Sequence, residues 1–452
     1  MKEQKRMTML SSSNKRDQVL KVGIYGISGQ SGKAYLADML GMPVQIYGYA
    51  RPSENGRETV EAIMAQGGVE LQRPPNNIES TSSFMPLEHN AVGHDLDRLI
   101  EESDVIIFTH PSIYHENTVQ IMKEGLSRRR IPLILSPSRT LATPYLWQIL
   151  GDQYPIFSFQ TCPYSCKSYS PGSSYIKRRK KNWIASVEGE VPLRVKVGLK
   201  KLFPQIIYSK IPATSSLGNI GAIFHPTAYM LNLEQIQAAK ARGENFSFYV
   251  EGIANNPKVG NIVEDVDQIR LQIAAALGCT VYGLRDNPQE DEFIAILKKI
   301  KEAETPSPNN LHNIRWQRAS YLHTLKNAVT SAQLWLAYTY GVERIPGESL
   351  AQAIGRTPHF QERSYPQQRY ADEDIPTGLV PMESLAKSLG IPHAPISHVI
   401  DLYDQMTGQS VRETGRNLKP FDIQYLKQYL LGQTNVRRTT SPYTDISQQI
   451  TY

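Results

Sequence analysis

The sequence predicts an α/β plus α protein, an N-terminal Rossmann-like doubly wound parallel sheet joined to a C-terminal all-helical domain. Three observations carry that prediction. The stretch VLKVGIYGISGQSGKAYLADML (19–40) reads as a strand, a glycine-rich turn and a helix. From there to about residue 210, short near-continuous apolar runs alternate with stretches of helical period, which implies a parallel sheet covered on both faces. Beyond about residue 212 the apolar residues recur at helical spacing; Ile262, Val266, Ile269, Ile273 and Leu277 do so in one run, with Gly278 as its stop.

The glycine turn decides what the first domain can hold. Val19, Val22 and Ile24 give the strand β-branched residues, Gly26, Gly29 and Gly32 give the turn, and Ser28 stands where a second glycine is usual. An ATPase phosphate loop needs four residues between its outer glycines and a Ser or Thr after its lysine. Here five residues separate Gly26 from Gly32 and Ala34 follows Lys33, so magnesium would find no hydroxyl. A dinucleotide needs a buried strand, a tight turn and a helix N-terminus facing the pyrophosphate, and all three are present. Gly26, Ser28, Gly29 and Gly32 are therefore cofactor-binding candidates, against the plainer reading that the glycines serve packing alone.

Further strands are expected at VQIYGYA (44–50), DVIIFTH (104–110), IPLILSP (131–137) and PIFSFQT (155–161), with helices at 95–104 and 116–126. In the second domain HPTAYMLNLEQIQAAKA, VEDVDQIRLQIAAALG, SYLHTLKNAVTSAQLWLAYTYG, VPMESLAKSLG and PISHVIDLYDQMTG read as helices, and AETPSPNN (303–310) as a loop. The expected organisation is a flexible leader at 1–18, a dinucleotide-binding domain at 19–212, a helical catalytic and substrate domain at 213–432 and a loose tail at 433–452.

Composition narrows the function. A chain of 452 residues, 40% apolar and 20% charged, has ordinary globular composition and can bury a sizeable core. It has no run of 18 apolar residues, and its charged, Ser-rich opening lacks the apolar centre of a secretory signal, so no membrane partner is expected. Cys162, Cys166 and Cys279 cannot build a disulfide framework, which points to a reducing, cytoplasmic setting; Cys162 and Cys166 read as structural thiols, with no metal expected. The net charge of +6 leans on SRRR (127–130) and KRRKK (177–181). The second run lies between stretches that read as strands, 173–176 and 183–187, without interleaved aromatics. A solvated hairpin tip is expected there, and no nucleic-acid partner.

Ligands bind at the carboxyl ends of the strands in open α/β sheets. The second strand ends YARPSE, and an arginine at this point suits the 2′-phosphate of NADP, where an acid would bind the ribose of NAD. Arg51 with Ser53 thus predicts NADPH in preference to NADH; Glu54 argues the other way. The strand at 104–110 runs into THPSIYHE, which brings Pro111 to the same edge. His225, opening HPTAYMLN, titrates in the range needed to move protons near neutrality, and Tyr229 and Asn232 follow it on one helical face. For the residue alone, a capping or core histidine is the favoured reading.

In combination and order, the blocks PSIYH (111–115), SPSRT (136–140), QTCPYSC (160–166), LGNIGAIFHPTAYMLN (217–232), FYVEGI (248–253), VEDVDQIRLQIAAALG (263–278) and RYADEDIPTGLVPMESLAKSLGIP (369–392) resemble the opine dehydrogenases of the NAD/NADP octopine/nopaline type. The resemblance spans roughly residues 20–405. It implies reductive condensation of an amino acid with a 2-oxo acid, through an imine reduced by NAD(P)H, to an N-(carboxyalkyl)amino acid. It also implies that His225 is the catalytic histidine, that Asp374 in EDIPTGLVP is its partner, and that Arg369 lies near the substrate; by spacing, Tyr229 and Asn232 line the same cleft wall as His225 and are the other substrate-binding candidates. A branch of the same superfamily makes opine metallophores, and this chain's length and Arg51 suit that branch too. The expected partners are the two small substrates, and a homodimer is compatible with the pattern. Two other readings stay open: a reductase of 2-oxo acids or sugar phosphates that uses no amine, and a non-catalytic dinucleotide sensor.

Overall fold

The structure, a computed structural model, describes residues 19–74, 83–88, 91–180, 182–285, 322–340, 347–361 and 368–433, with residues 295, 298, 342 and 345. The expected leader, the 303–310 loop and the tail from residue 434 lie outside the described residues. The chain divides into two compact units. One takes the chain up to Thr109 with residues 166–178 and 192–204; the other takes 110–165, 179–191 and the chain from Gln205 onward.

In the first unit β1 (Lys21–Tyr25), β2 (Gln45–Tyr49), β3 (Gly68–Gln72), β4 (Ser83–Pro86), β5 (Val92–Gly93) and β6 (Val105–Phe108) form in chain order. Four of them lie side by side as β6-β1-β2-β5, every pair parallel, with Val22 set against Ile46 on one side and Val105 on the other. β1 and β6 are the most apolar stretches here, and both are buried, as central parallel strands must be. Helices Gln30–Met39, Glu54–Gln66 and Leu96–Glu102 make the crossovers. Ser53 and Asp95 start the second and third by accepting the amides of Gly56 and Arg98.

In the second unit β7 (Leu133–Leu135) and β8 (Ile156–Phe159) are parallel, as expected. Next along the chain come β9 (Tyr164–Lys167), β10 (Ser173–Arg179), β11 (Trp183–Glu188) and β12 (Ile206–Ser209). β11 pairs with β12 in parallel but with β8 antiparallel, so the sheet is not wholly parallel. The KRRKK run is not a hairpin tip. β11 has both edges occupied by β8 and β12, and β10 instead pairs in parallel with β3.

The described remainder of this unit is mostly helical. Pro257–Leu277 begins on a proline and stops at Gly278, whose φ of 89° is left-handed backbone that favours glycine. Val380–Ser388 and Ala394–Thr407 also form where the period placed them. Two expected helices are interrupted. The stretch 225–241 breaks at Asn232, whose amide donates to the Ala228 and Gly252 carbonyls and so closes one helix before the next begins. The stretch 320–341 contains β14 (Ala328–Thr330), parallel to β13 (Thr280–Tyr282), before the helix Ala332–Tyr340. The cause is a buried ion pair on the long helix: Arg270 donates to the Thr330 carbonyl while Asp267 accepts the Ala332 amide, and these bonds take backbone groups a continuous helix would use. Among the described residues no helix is long and apolar enough to cross a membrane.

Candidate active site

The glycine turn is built by backbone. The Gly26 and Ile27 amides both donate to the Tyr49 carbonyl, at 2.8 and 3.1 Å, tying the turn to the end of β2, and the Gly29 amide donates back to the Gly26 carbonyl. At Gly32 a Cβ would lie 2.2 Å from the Gly26 carbonyl oxygen, so only glycine lets the helix start this close to the turn. The helix begins at Gly29 and no side chain caps it. Its first amides and positive dipole end therefore suit an anion, with Ser28 half-buried beside them. Lys33 points elsewhere: its ammonium donates to Ser168 Oγ at 2.8 Å and to the Ser170 carbonyl, and burial holds it below its ordinary pKa despite Glu58. These residues fit a dinucleotide pyrophosphate and not a magnesium triphosphate. Arg51 stands exposed just past β2, and Ser53 is spent as a helix cap.

In the second unit, the helix Gly221–Leu231 carries His225, and the short helix Arg369–Asp374 packs on it. His225 Nδ1 lies 2.9 Å from Asp374 Oδ2. Asp374 is fully buried, whereas the His225 side chain is 22% exposed. A carboxylate behind the ring and solvent before it leave Nε2 as the nitrogen that can meet a ligand. The Tyr370 ring stacks on the imidazole at 4.8 Å, and the Arg369 guanidinium lies 5.2 Å from the Tyr370 ring centroid.

Asp374 has a second partner, which the sequence did not announce. Arg139 Nη1 lies 2.8 Å from Asp374 Oδ1, and Arg139 Nε lies 3.3 Å from Glu373 Oε1. Burial alone would weaken the guanidinium's hold on its proton, and the two carboxylates more than reverse that. Burial would likewise lift Glu373, but Arg139 and the Ser112 amide, which donates to it at 3.0 Å, bring its carboxyl below the usual range. Arg416, also buried, ties the loops that carry these groups. It pairs with Glu116 at 2.8 Å and donates to the carbonyls of Ser112, Ser138 and Thr140.

Other expected residues stand apart. Asn232 is 1% exposed, donates to two backbone carbonyls and accepts from Asn256, so its amide serves the fold and not the His225 face. Tyr229 is buried, and burial first, then the nearby Asp372, raises its hydroxyl pKa. Pro111 is exposed at the start of a single 3₁₀ turn, Ser112–Tyr114. His115, from the same block, is fully buried, and burial, then the charges of His110 and Arg416, push its imidazole well below its ordinary value. No local pattern marks Arg139, Glu373, Ser112 or Arg416; the quoted SPSRT block contains Arg139, but only the folded chain gives it a role.

Residues 211–407, the segment that holds both His225 and Asp374, match the family model for NAD/NADP octopine/nopaline dehydrogenase, alpha-helical domain. An opine dehydrogenase of Arthrobacter sp. (strain 1C) is 23% identical over 338 residues, 73% of this chain and 78% of that one. Among solved structures, an octopine dehydrogenase in complex with NADH and agmatine is similar at a TM-score of 0.62 and 17% identity, covering 88% of this chain and 93% of that chain. A yersinopine dehydrogenase with NADP+ bound gives 0.55 and 13%, covering 92% and 98%. At these identities the structural likeness is one of fold.

Proposed function

We propose that the chain is an opine dehydrogenase, condensing an amino acid or an amine derived from one with a 2-oxo acid and reducing the product; the match of residues 211–407 to the NAD/NADP octopine/nopaline dehydrogenase helical-domain model supports this reading. The observation that carries the reading is the partly exposed His225 ring with a fully buried carboxylate, Asp374, on its Nδ1. That pair can accept a proton at Nε2 and release it again, which the condensation requires twice. The substrate ammonium loses two protons as its nitrogen bonds the keto carbon; both leave with the carbonyl oxygen as water. NAD(P)H, when bound, supplies the hydride that reduces the resulting C=N carbon, and the secondary amine takes a proton from solvent. His225 carries the protons between nitrogen and oxygen, while Asp374 holds its Nδ1 as the donor to the carboxylate and stabilises the imidazolium. Arg369, lying over Tyr370, is the cation assigned to the oxo acid's carboxylate.

For the cofactor, the uncapped glycine turn suits the pyrophosphate, and the exposed Arg51 supports a preference for NADPH. The test is a grid of amino acids, larger metal-chelating amines and 2-oxo acids, followed by NADPH and NADH oxidation. The reading requires oxidation that depends on both an amine and an oxo acid. Turnover with an oxo acid alone would make the protein a simple reductase, and cofactor binding without turnover on any pair would make it a sensor.

A further inference from the structure

Arg139 is an unusual place to find a cation. Its side chain is 9% exposed, and its backbone φ of 61° is a left-handed conformation that non-glycine residues seldom adopt. That conformation and its partners turn the guanidinium into the His225 cluster. Nη1 reaches both Asp374 Oδ1, at 2.8 Å, and Asn219 Oδ1, at 3.3 Å, while Nε faces Glu373. At Gly221, on the first turn of the His225 helix, a Cβ would lie 3.1 Å from Arg139 Nη1 and 3.2 Å from His225 Cε1. The cation and the imidazole thus converge on one point of backbone that carries no side chain. Charge alternates along the series Glu373, Arg139, Asp374, His225, and the four sum to −1 when the imidazole is neutral and to zero when it is protonated.

We propose that Arg139 is a positioning residue for the proton step, fixing Asp374 against His225 Nδ1 and weakening the proton affinity of the His225–Asp374 pair, with Glu373 as the counter-charge that limits this effect. The inference rests on the acid/base reading of His225. A buried carboxylate behind an imidazole strengthens the pair's hold on a proton, and an acid/base group works best when its titration lies near the working pH. A cation on the carboxylate's other oxygen draws that titration down. The sign does not depend on which atom carries the proton, because removing a positive charge raises the proton affinity of the pair as a unit. Other titratable groups on the elements packed around His225 include Tyr370, stacked on the ring, and Arg369 over Tyr370; Tyr229; Asp372, which accepts from the Tyr403 hydroxyl; Asp267 and Arg270 on the long helix; and His398, Asp401 and Asp404 on Ala394–Thr407. All of them remain in place in the variants below.

The test follows the pair by imidazole ¹⁵N NMR in the protein without cofactor, and by the pH profile of kcat. Arg139→Gln should move the midpoint up by about one to two pH units. Glu373→Gln should move it down, and the double variant should return it toward the parent. Arg139→Lys, which keeps the charge but not the fork, should leave the midpoint within about half a unit while lowering kcat. An unmoved or lowered midpoint in Arg139→Gln overturns the proposal. If that variant does not fold, Glu373→Gln and Arg139→Lys decide: no fall in the first, or a rise beyond one unit in the second, overturns it equally. Failure of the acid/base reading has a separate signature, parent-level turnover in His225→Asn, and the NMR midpoints would still report whether Arg139 sets the pair.

Discussion

The glycine turn is closed by backbone drawn from one short stretch of chain: the Gly29 amide donates to Gly26, and the Gly26 and Ile27 amides donate to Tyr49 at the end of β2. The His225 cluster is assembled from far apart: Asp374 lies 149 residues from its histidine, Glu373 lies 234 from Arg139, and Ser112 lies 261 from Glu373. The first site needs only a backbone that can come close and a helix with an open end. The second needs buried charges to balance, so each member fixes the state of the others. A local site should fail locally, through the fit of one ligand. A distributed one should fail as a unit, through protonation.

Four experiments break or sharpen that contrast, from the largest expected effect to the smallest. His225→Asn should lower kcat by about 10²- to 10⁴-fold while NADPH affinity, read by fluorescence titration, stays at the parent value. Asp374→Asn should shift the pH profile downward, because its neutral amide no longer holds a proton on the ring, and the double variant should be hardly slower than His225→Asn. Independent, multiplying losses would show that the two do not act together. Arg51→Asp comes next: if the arginine meets a 2′-phosphate, NADPH binding should weaken by about 2–3 kcal/mol with NADH much less affected. Equal losses for the two cofactors would remove Arg51 from that role.

Gly32→Ala places a methyl on the Gly26 carbonyl, and overpacking against backbone costs about 1–3 kcal/mol. Titration should show NADPH and NADH weakened alike, with the His225 midpoint untouched by NMR; a moved midpoint would mean that the turn and the cluster are coupled. The smallest effect belongs to Lys33→Met. Losing its bonds to Ser168 and Ser170 should cost about 1 kcal/mol in thermal or urea unfolding and leave NADPH affinity within roughly threefold. A large loss of cofactor would bring Lys33 back as a phosphate ligand.

The sequence alone determined the elements whose signal is periodic or conformational. β1, β2, β6, β7 and β8 lie where apolar runs placed them, and the long helix stops at Gly278 because a left-handed residue must follow it. The glycine turn was legible for the same reason: close approach and positive φ are demands on the backbone of the residue that meets them. Partners across the chain leave no such mark. KRRKK read as a hairpin tip because neighbouring strands usually pair, and only the sheet reveals that both edges of β11 are taken. The stretch 320–341 read as one helix because nothing local shows that Arg270 and Asp267 will claim its backbone. Asp372, Glu373 and Asp374 are alike in composition. Tertiary structure separates them by helix phase, turning Asp374 to His225, Glu373 to Arg139 and Ser112, and Asp372 to Tyr403. A buried charge is defined by what surrounds it, and its surroundings come from the folded chain, not from its neighbours in sequence.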